Sequence, residues 1–207
     1  MSVHGRGDGA SVRTASPAAE ADARVQRVVQ PAPAGPPRPL IVVDIDGVLA
    51  DVRHRQHHLA GPRKNWSAFF AEAADDPPID AGVQAVLQAA DDGLDIAYLT
   101  GRPEHLRAVT SSWLARLGLP IASDRPSSSV GTGLLHMRPH RDYRPAAVFK
   151  VEVLRALSGQ RQVQDHWDDD VVVVDAVRRA GFTVTLVDWA VPRSLGLAQA
   201  QDALGRT

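Results

Sequence analysis

The chain has 207 residues, no cysteine and a formal net charge of −1. The lack of cysteine excludes disulfides, thiolate catalysis and zinc–thiolate sites, and no apolar run approaches the roughly 20 residues of a membrane span. The first 39 residues hold five of the 23 basic and three of the 24 acidic side chains, so the body carries 18 and 21, a net of −3. A mildly acidic body argues against a broad duplex-binding face.

The first 39 residues differ in composition from the rest of the chain. Ala, Pro, Gly and Ser dominate, and the segment closes with "PAPAGPPRP". Such a stretch buries too little apolar surface to offset its ordering entropy, so we predict a disordered leader and linker over 1–39 and one domain over 40–207. The leader has no apolar centre of the kind that a signal peptide carries. The expectation is a soluble, cytoplasmic protein.

The first predicted strand covers residues 40–45 and ends in an unusual way. Its apolar run passes into Asp44 and Asp46, one residue apart, and Gly47 follows at once. Ionised carboxylates taken out of water cost several kcal/mol each unless they are paired or bound to metal. The stretch is therefore either an ordinary polar strand end or the start of a reactive site.

An irregular stretch rich in His and Arg follows at 51–65, and a short helix is predicted at 66–74. Three imidazoles stand at positions 54, 57 and 58, a spacing of i, i+3 and i+4. Zinc would suit them, but no acid-plus-histidine motif supports that reading. We expect instead either a positively charged loop that covers an active site or a plain solvated loop. The aromatic face of the helix (Trp66, Phe69 and Phe70) is expected to be core, with base stacking as the alternative.

The remaining elements alternate between helices and strands. Asp80 is expected to be a helix N-cap and Gly93 the stop of the same helix. The segment 169–181 is ambiguous, and we take it as a helix because "FTVTLVDW" follows as a better strand. The alternation predicts an α/β layered domain with a mostly parallel sheet, whose ligands lie beyond the carboxyl ends of the strands. The predicted elements are helix 80–93, strand 94–100, helix 102–118, strand 134–137, helix 146–157, strand 161–167, helix 169–181 and strand 182–189.

Further polar groups are expected at the rim where the first strand ends. Thr100, Gly101 and Arg102 close the second strand, Lys150 begins a later helix, and three aspartates at 168–170 close another strand. Strand ends of a parallel sheet share one edge, so these groups should converge with Asp44 and Asp46.

In this order, "DIDGV", "LTGR", "FK" and "DD" resemble the four motifs of the haloacid dehalogenase-like (HAD) phosphohydrolase superfamily, across roughly residues 40–190. The resemblance implies a HAD-type Rossmann-like three-layer domain with a mostly parallel central sheet and a small cap insert at about 47–79. It also implies an Mg²⁺-dependent phosphomonoesterase that works through an aspartyl-phosphate intermediate.

The resemblance also assigns roles to individual residues. Asp44 would be the nucleophile, Asp46 the general acid and base, Thr100 a hydrogen-bond donor to the phosphoryl group, and Lys150 its neutralising charge. Mg²⁺ would be held by the Asp44 carboxylate, the Asp46 backbone carbonyl and acidic residues at 168–170. The acidic pair is either Asp168 and Asp169 or Asp169 and Asp170, with Asp170 assigned to a helix N-terminus.

A closer resemblance lies in "HMRPHRDYRPAAVFKVEVL", which is similar to the 3′-phosphatase domain of polynucleotide kinase–phosphatases. It implies that Gly101, Arg102, Arg138 and Arg144 bind substrate, the arginines gripping a second phosphate of an oligonucleotide end. The alternative is that these arginines pair with surface carboxylates such as Asp142.

The expected substrate is a phosphomonoester, either a nucleic-acid 3′ end or a nucleotide. The short insert leaves little room for a large cap, and an open site suits a polymer. No Walker-type motif is present, so no kinase half is recognisable. A nucleotidase or general small-molecule phosphatase is the alternative, and a catalytically silent HAD-like binding module is a further one. The sequence indicates no obligate protein partner.

Overall fold

The computed structural model describes residues 38–60, 62–122 and 133–189. The predicted leader, apart from Arg38 and Pro39, lies outside the described residues.

Five parallel strands form one sheet in the order β3-β2-β1-β4-β5. The strand that begins the domain, β1, therefore lies at the centre, and all four of its residues are buried. A strand covered on both faces reads as a continuous apolar run, which is what Leu40–Val43 shows. The predicted α/β architecture is confirmed, and every described strand of the sheet is parallel. The strands are β1 Leu40–Val43, β2 Asp95–Pro103, β3 Leu134–Arg138, β4 Val163–Asp168 and β5 Val184–Leu186.

Helices cover both faces of the sheet. Side chains alternate along a strand, so Ile41 and Val43 enter one core and Leu40 and Val42 enter the other. The first core contains helices α2 (Asp80–Asp91) and α3 (Arg107–Arg116), and the second contains α4 (Ala146–Ser158) and α5 (Val171–Arg179). Two apolar cores on opposite sides of β1 give three layers. None of these helices combines the length and apolarity of a membrane span within the part of the chain that the structure describes. The helices are α1 Trp66–Ala71, α2 Asp80–Asp91, α3 Arg107–Arg116, α4 Ala146–Ser158 and α5 Val171–Arg179.

The strand register sets the level at which the site forms. Val43 lies opposite Tyr98 of β2 and Trp167 of β4. The backbone N–H of Asp44 then donates to the Trp167 carbonyl at 2.9 Å. Asp44 therefore emerges at the carboxyl edge of the sheet, level with the ends of both neighbouring strands.

One predicted helix start and one predicted N-cap are wrong. Pro103 has an extended backbone (φ −68°, ψ 148°) and pairs with Arg138, so β2 continues past Thr100. A 3₁₀ turn, Glu104–Leu106, precedes α3, which begins at Arg107 rather than at 102. Asp80 is the first residue of α2 and not its N-cap, since extended Ile79 precedes it and its side chain makes no cap.

The insert between β1 and α2 is helical. The stretch predicted as irregular contains a seven-residue 3₁₀ helix, Arg53–Leu59, and the predicted helix 66–74 ends at Ala71 with a 3₁₀ turn, Ala73–Asp75, after it. Its three aromatic rings pack with centroids 5.3–5.7 Å apart and are buried, so the core prediction for them holds. The rings are those of Trp66, Phe69 and Phe70.

Candidate active site

A lysine joins two carboxylates at the carboxyl edge of the sheet. Asp44 follows β1, Asp168 ends β4, and Lys150 lies in the second turn of α4. The Lys150 Nζ is 2.7 Å from Asp44 Oδ2 and 2.8 Å from Asp168 Oδ2. All three side chains are buried. The fold thus brings the first, third and fourth predicted motif residues into direct contact.

Burial and charge divide the roles of these groups. Burial, with some repulsion from Asp168 and Asp169, raises the pKa of Asp44 well above its ordinary value despite the Lys150 charge. Burial alone would raise the pKa of Asp168 and lower that of Lys150. The Lys150 ammonium with a His166 hydrogen bond nevertheless holds the pKa of Asp168 low, and Asp168 with Asp44 raises the pKa of Lys150. Asp168 and Lys150 therefore form a stable ion pair, while the Asp44 charge is only partly compensated.

The acidic residues suit a hard divalent cation. Asp44, Asp168 and Asp169 each offer a carboxylate oxygen, and these three atoms lie within 4.8 Å of one another. An all-oxygen donor set is what Mg²⁺ prefers. Asp170 instead caps α5 by accepting from the Val172 N–H at 2.8 Å. The residues present fit the metal.

Asp46 belongs to a separate buried ion network, here called the Asp46 network (Asp46, Asp76, Arg55 and Arg102). Asp46 Oδ1 accepts from Arg55 Nη2 at 2.9 Å and from Arg102 Nη2 at 2.5 Å. Asp76 bonds the same two guanidinium groups, with Arg55 Nε at 2.6 Å and Arg102 Nη2 at 2.5 Å. Two carboxylates and two arginines balance their charges, which is the condition for keeping them out of water.

The Asp46 network fixes the ionisation of Asp46. Burial opposes its charge, but Arg102 and Arg55 together hold the pKa of Asp46 below its ordinary value. Its second oxygen, Oδ2, is buried and has no hydrogen-bond partner in the part of the chain that the structure describes. Asp46 is therefore ionised at neutral pH, with one oxygen held by arginine and the other available to a proton.

The residues predicted to bind substrate have different surroundings. Buried Thr100 accepts from the Arg102 N–H at 3.2 Å and caps no helix, because α3 begins seven residues later. Arg102 is committed to the Asp46 network. Arg138 donates to the Gly101 carbonyl at 3.4 Å and to the Arg144 carbonyl at 2.8 Å. The Arg144 guanidinium pairs with carboxylates, including Asp142 at 2.7 Å, as the alternative reading expected.

A pocket of about 460 Å³ lies beside Gly101 and Arg138. Its walls combine apolar and aromatic surface from α1 and from the end of β2 with the polar loop that follows β3. Arg141 in that loop has a left-handed backbone (φ 63°), which is uncommon for a residue other than glycine. The remaining lining residues are Trp66, Ser67, Phe70, Ala71, Pro103, His105, Leu106, Pro139, His140, Asp142 and Tyr143.

Sequence reasoning missed three side chains that support the site. Arg55 and Asp76 lie in stretches that read as a solvated loop and a helix break, and no spacing signal marks them. His166 Nε2 donates to Asp168 Oδ2 (3.0 Å), and its other ring nitrogen lies 3.0 Å from the Val42 carbonyl. A signal for His166 exists in the two-residue period of β4, which places it on the same face as Asp168.

Comparison with known proteins agrees with this geometry. The model of the polynucleotide kinase PNKP phosphatase domain, a HAD family, matches residues 38–190. A chain in the structure of the Pnkp1/Rnl/Hen1 complex is similar at 25% identity and a TM-score of 0.57, over 72% of this chain and 45% of that one. The class C acid phosphatase from Bacillus anthracis shares the fold at 16% identity and a TM-score of 0.52, over 71% and 61%.

The chain spans less than half of the matched chains in the Pnkp1/Rnl/Hen1 structures. No curated protein matches the sequence. The family match nevertheless covers well over half of the chain and includes every strand of the sheet. The chain therefore belongs to the PNKP phosphatase domain family of HAD hydrolases, which confirms the resemblance noted in the sequence.

Proposed function

We propose that this protein is an Mg²⁺-dependent phosphomonoesterase that forms an aspartyl-phosphate and acts on 3′-phosphorylated polynucleotide ends. The observation that carries the proposal is the contact of Lys150 with both Asp44 and Asp168 at the edge of the sheet. A nucleophile, a neutralising cation and an acidic metal site are the parts that phosphoryl transfer needs. A cytoplasmic location and a phosphatase domain over 40–207 belong to the same proposal.

The proposed reaction has two steps on the protein's own residues. An Asp44 carboxylate oxygen attacks phosphorus, the bond to the leaving oxygen breaks, and Asp46 gives that oxygen a proton. In the second step Asp46 takes a proton from water, and the water oxygen attacks phosphorus. The bond between phosphorus and Asp44 then breaks, which releases phosphate and restores the Asp44 carboxylate. Thr100 donates a hydrogen bond to the phosphoryl group, and Lys150 neutralises part of its charge.

Magnesium would be held by Asp44, Asp168 and Asp169 and by the Asp46 backbone carbonyl. When bound it supplies positive charge to the phosphoryl oxygens and to the carboxylates around them. The Asp46 network would hold the acid–base carboxylate in one orientation through Arg55 and Arg102. The low pKa of Asp46 keeps its carboxylate ionised, as the base step requires. The acid step requires Asp46 to carry a proton when substrate is bound.

The pocket beside Gly101 supports a nucleotide as the leaving part of the substrate. Exposed Tyr143 in its wall suits a base, since stacking on an aromatic ring accepts any base. Arg138 and Arg141 line the same pocket and suit a neighbouring backbone phosphate. The predicted grip by Arg144 is not part of the proposal, because its guanidinium is held by carboxylates.

A nucleotidase is the second candidate, because the same pocket is large enough for a single nucleoside. The test is phosphate release from a 3′-phosphorylated oligonucleotide beside a 5′-phosphorylated one and free mononucleotides, with and without chelator. We expect selective 3′ release that is lost in Asp44→Asn and in chelator. Preference for mononucleotides would establish the nucleotidase instead. No release from any of them would refute the phosphatase and leave a binding module of this fold.

A further inference from the structure

A second group of metal-ligating side chains lies in the helical insert and shares no residue with the acidic site. Here called the His/Glu cluster, it consists of His57, His58 and Glu72. Each residue offers one ligand atom, and the three atoms lie within 4.8 Å of one another. His57 is exposed and the other two are partly exposed, so ions in solution can reach the cluster.

The fold supplies the acidic partner that the sequence argument lacked. His57 and His58 lie in the last turn of the 3₁₀ helix, with ring centroids 3.9 Å apart. Glu72 follows the last residue of α1 and lies 14 positions after His58 in the chain. His58 Nε2 is 2.9 Å from Glu72 Oε1. No fixed sequence spacing would link a loop imidazole to the end of a later helix.

Hydrogen bonding prepares one imidazole to bind a cation. His57 Nδ1 is 2.9 Å from the His54 carbonyl oxygen. A carbonyl can only accept, so Nδ1 carries the proton and Nε2 of the neutral ring keeps its lone pair. Histidine ligands of metals are oriented by this kind of bond to a backbone carbonyl.

We propose that His57, His58 and Glu72 bind a divalent cation of the zinc class. Two imidazoles and one carboxylate form a set that suits Zn²⁺ and leaves a fourth position for water, whereas Mg²⁺ prefers oxygen ligands alone. This site goes beyond the proposed function, since none of its residues takes part in phosphoryl transfer.

The position of the cluster predicts a structural effect of the cation. It would join the 3₁₀ helix to the end of α1. The same 3₁₀ helix carries Arg55, and His54 within it lies 2.8 Å from Asp76. Cation binding would therefore stabilise the segment that supplies part of the Asp46 network.

The test is Zn²⁺ binding to the whole chain by competition with a chromophoric chelator, with Mg²⁺ in excess to fill the acidic site. We expect one tight site in the wild type and a loss of affinity of about tenfold or more in Glu72→Gln and His58→Ala. His140→Ala, an exposed histidine outside the cluster, should bind as the wild type does. Glu72→Gln keeps the side-chain shape, so it tests ligation without an expected change in folding.

Thermal unfolding provides the second readout. At one fixed Zn²⁺ concentration, with Mg²⁺ in excess, Zn²⁺ should raise the unfolding temperature of the wild type and of His140→Ala by more than that of Glu72→Gln. Unchanged Zn²⁺ affinity in Glu72→Gln and His58→Ala would overturn the proposal, as would complete displacement of Zn²⁺ by Mg²⁺. Both readouts measure binding, so they do not depend on whether the protein is a phosphatase.

Discussion

Two glycines with the same backbone conformation allow the metal site to be tested against a matched control. Gly47 and Gly93 have φ angles of 82° and 84°. A Cβ at Gly47 would lie 2.5 Å from Asp169 Cγ and 2.8 Å from Asp169 Oδ1, whereas a Cβ at Gly93 would meet nothing within 4 Å. Alanine at either position carries the same backbone penalty, but only alanine at Gly47 must displace Asp169.

The expected sizes follow from this difference. In the folded protein, the left-handed backbone destabilises alanine by about 1–2 kcal/mol relative to glycine. The unfolded chain with alanine has less conformational entropy than the one with glycine, which offsets about 0.4–1 kcal/mol of this cost. Both variants should therefore lose roughly 1 kcal/mol of unfolding free energy. The added methyl group displaces the Asp169 carboxylate, which then leaves the acidic site. Mg²⁺ affinity should fall about tenfold or more in Gly47→Ala alone.

Urea unfolding in chelator measures the stability of both variants, and calorimetric Mg²⁺ titration measures the site. The Mg²⁺ dependence of phosphate release gives an independent value for the same affinity. If Gly47→Ala binds Mg²⁺ as tightly as Gly93→Ala, Asp169 is not needed for the cation and the reasoning fails.

Three further outcomes are expected. Asp76→Asn leaves two buried arginines with one carboxylate and should lower the unfolding free energy by about 3–5 kcal/mol, whereas exposed Asp75→Asn should change it by less than about 0.5 kcal/mol in the same urea experiment. Without metal, Asp44→Asn should stabilise the protein by about 0.5–2 kcal/mol at neutral pH, because burial raises the pKa of Asp44 and its charge opposes folding. That gain should shrink as the pH falls toward about 4, where the unfolded carboxyl also takes up its proton, so a pH-independent gain would contradict it. Finally, the low pKa of Asp46 leaves little protonated acid at neutral pH. An oligonucleotide 3′-phosphate needs that proton on its leaving group, whereas p-nitrophenyl phosphate does not. The ratio of kcat/KM for the oligonucleotide to kcat/KM for p-nitrophenyl phosphate should therefore rise as the pH falls. Asp44 contributes equally to both rates, and a ratio that stays constant from pH 8 to pH 6 would argue against Asp46 as the acid.

The sheet and the residues at its edge could be predicted because their signals are local. Asp44 follows a buried apolar run, and Thr100 and Asp168 close runs of strand-like sequence. Parallel pairing then brings the strand ends together without any knowledge of loops. Such inference needs only the period of the strands and the order of the elements.

The insert could not be predicted in the same way, because its key groups are explained only by distant partners. Arg55 reads as a solvated cation until Asp46 and Asp76 are known to lie against it. Pro103 reads as a helix start, yet strand pairing with Arg138 takes precedence over that local preference. Buried charged residues produce no periodic pattern in the sequence. Sequence alone therefore predicts that such residues are exposed to solvent.

The central place of β1 has a consequence for how the chain is made. Val43 leaves the ribosome about 120 residues before Val163, the first residue of the neighbouring strand β4. At the usual 5–20 residues per second, roughly 6–24 s pass before that neighbour exists. During this interval one edge of a fully apolar strand has no partner. The nascent chain therefore carries an unpaired apolar strand edge through most of domain synthesis, and slow translation of the region before β4 would lengthen that exposure.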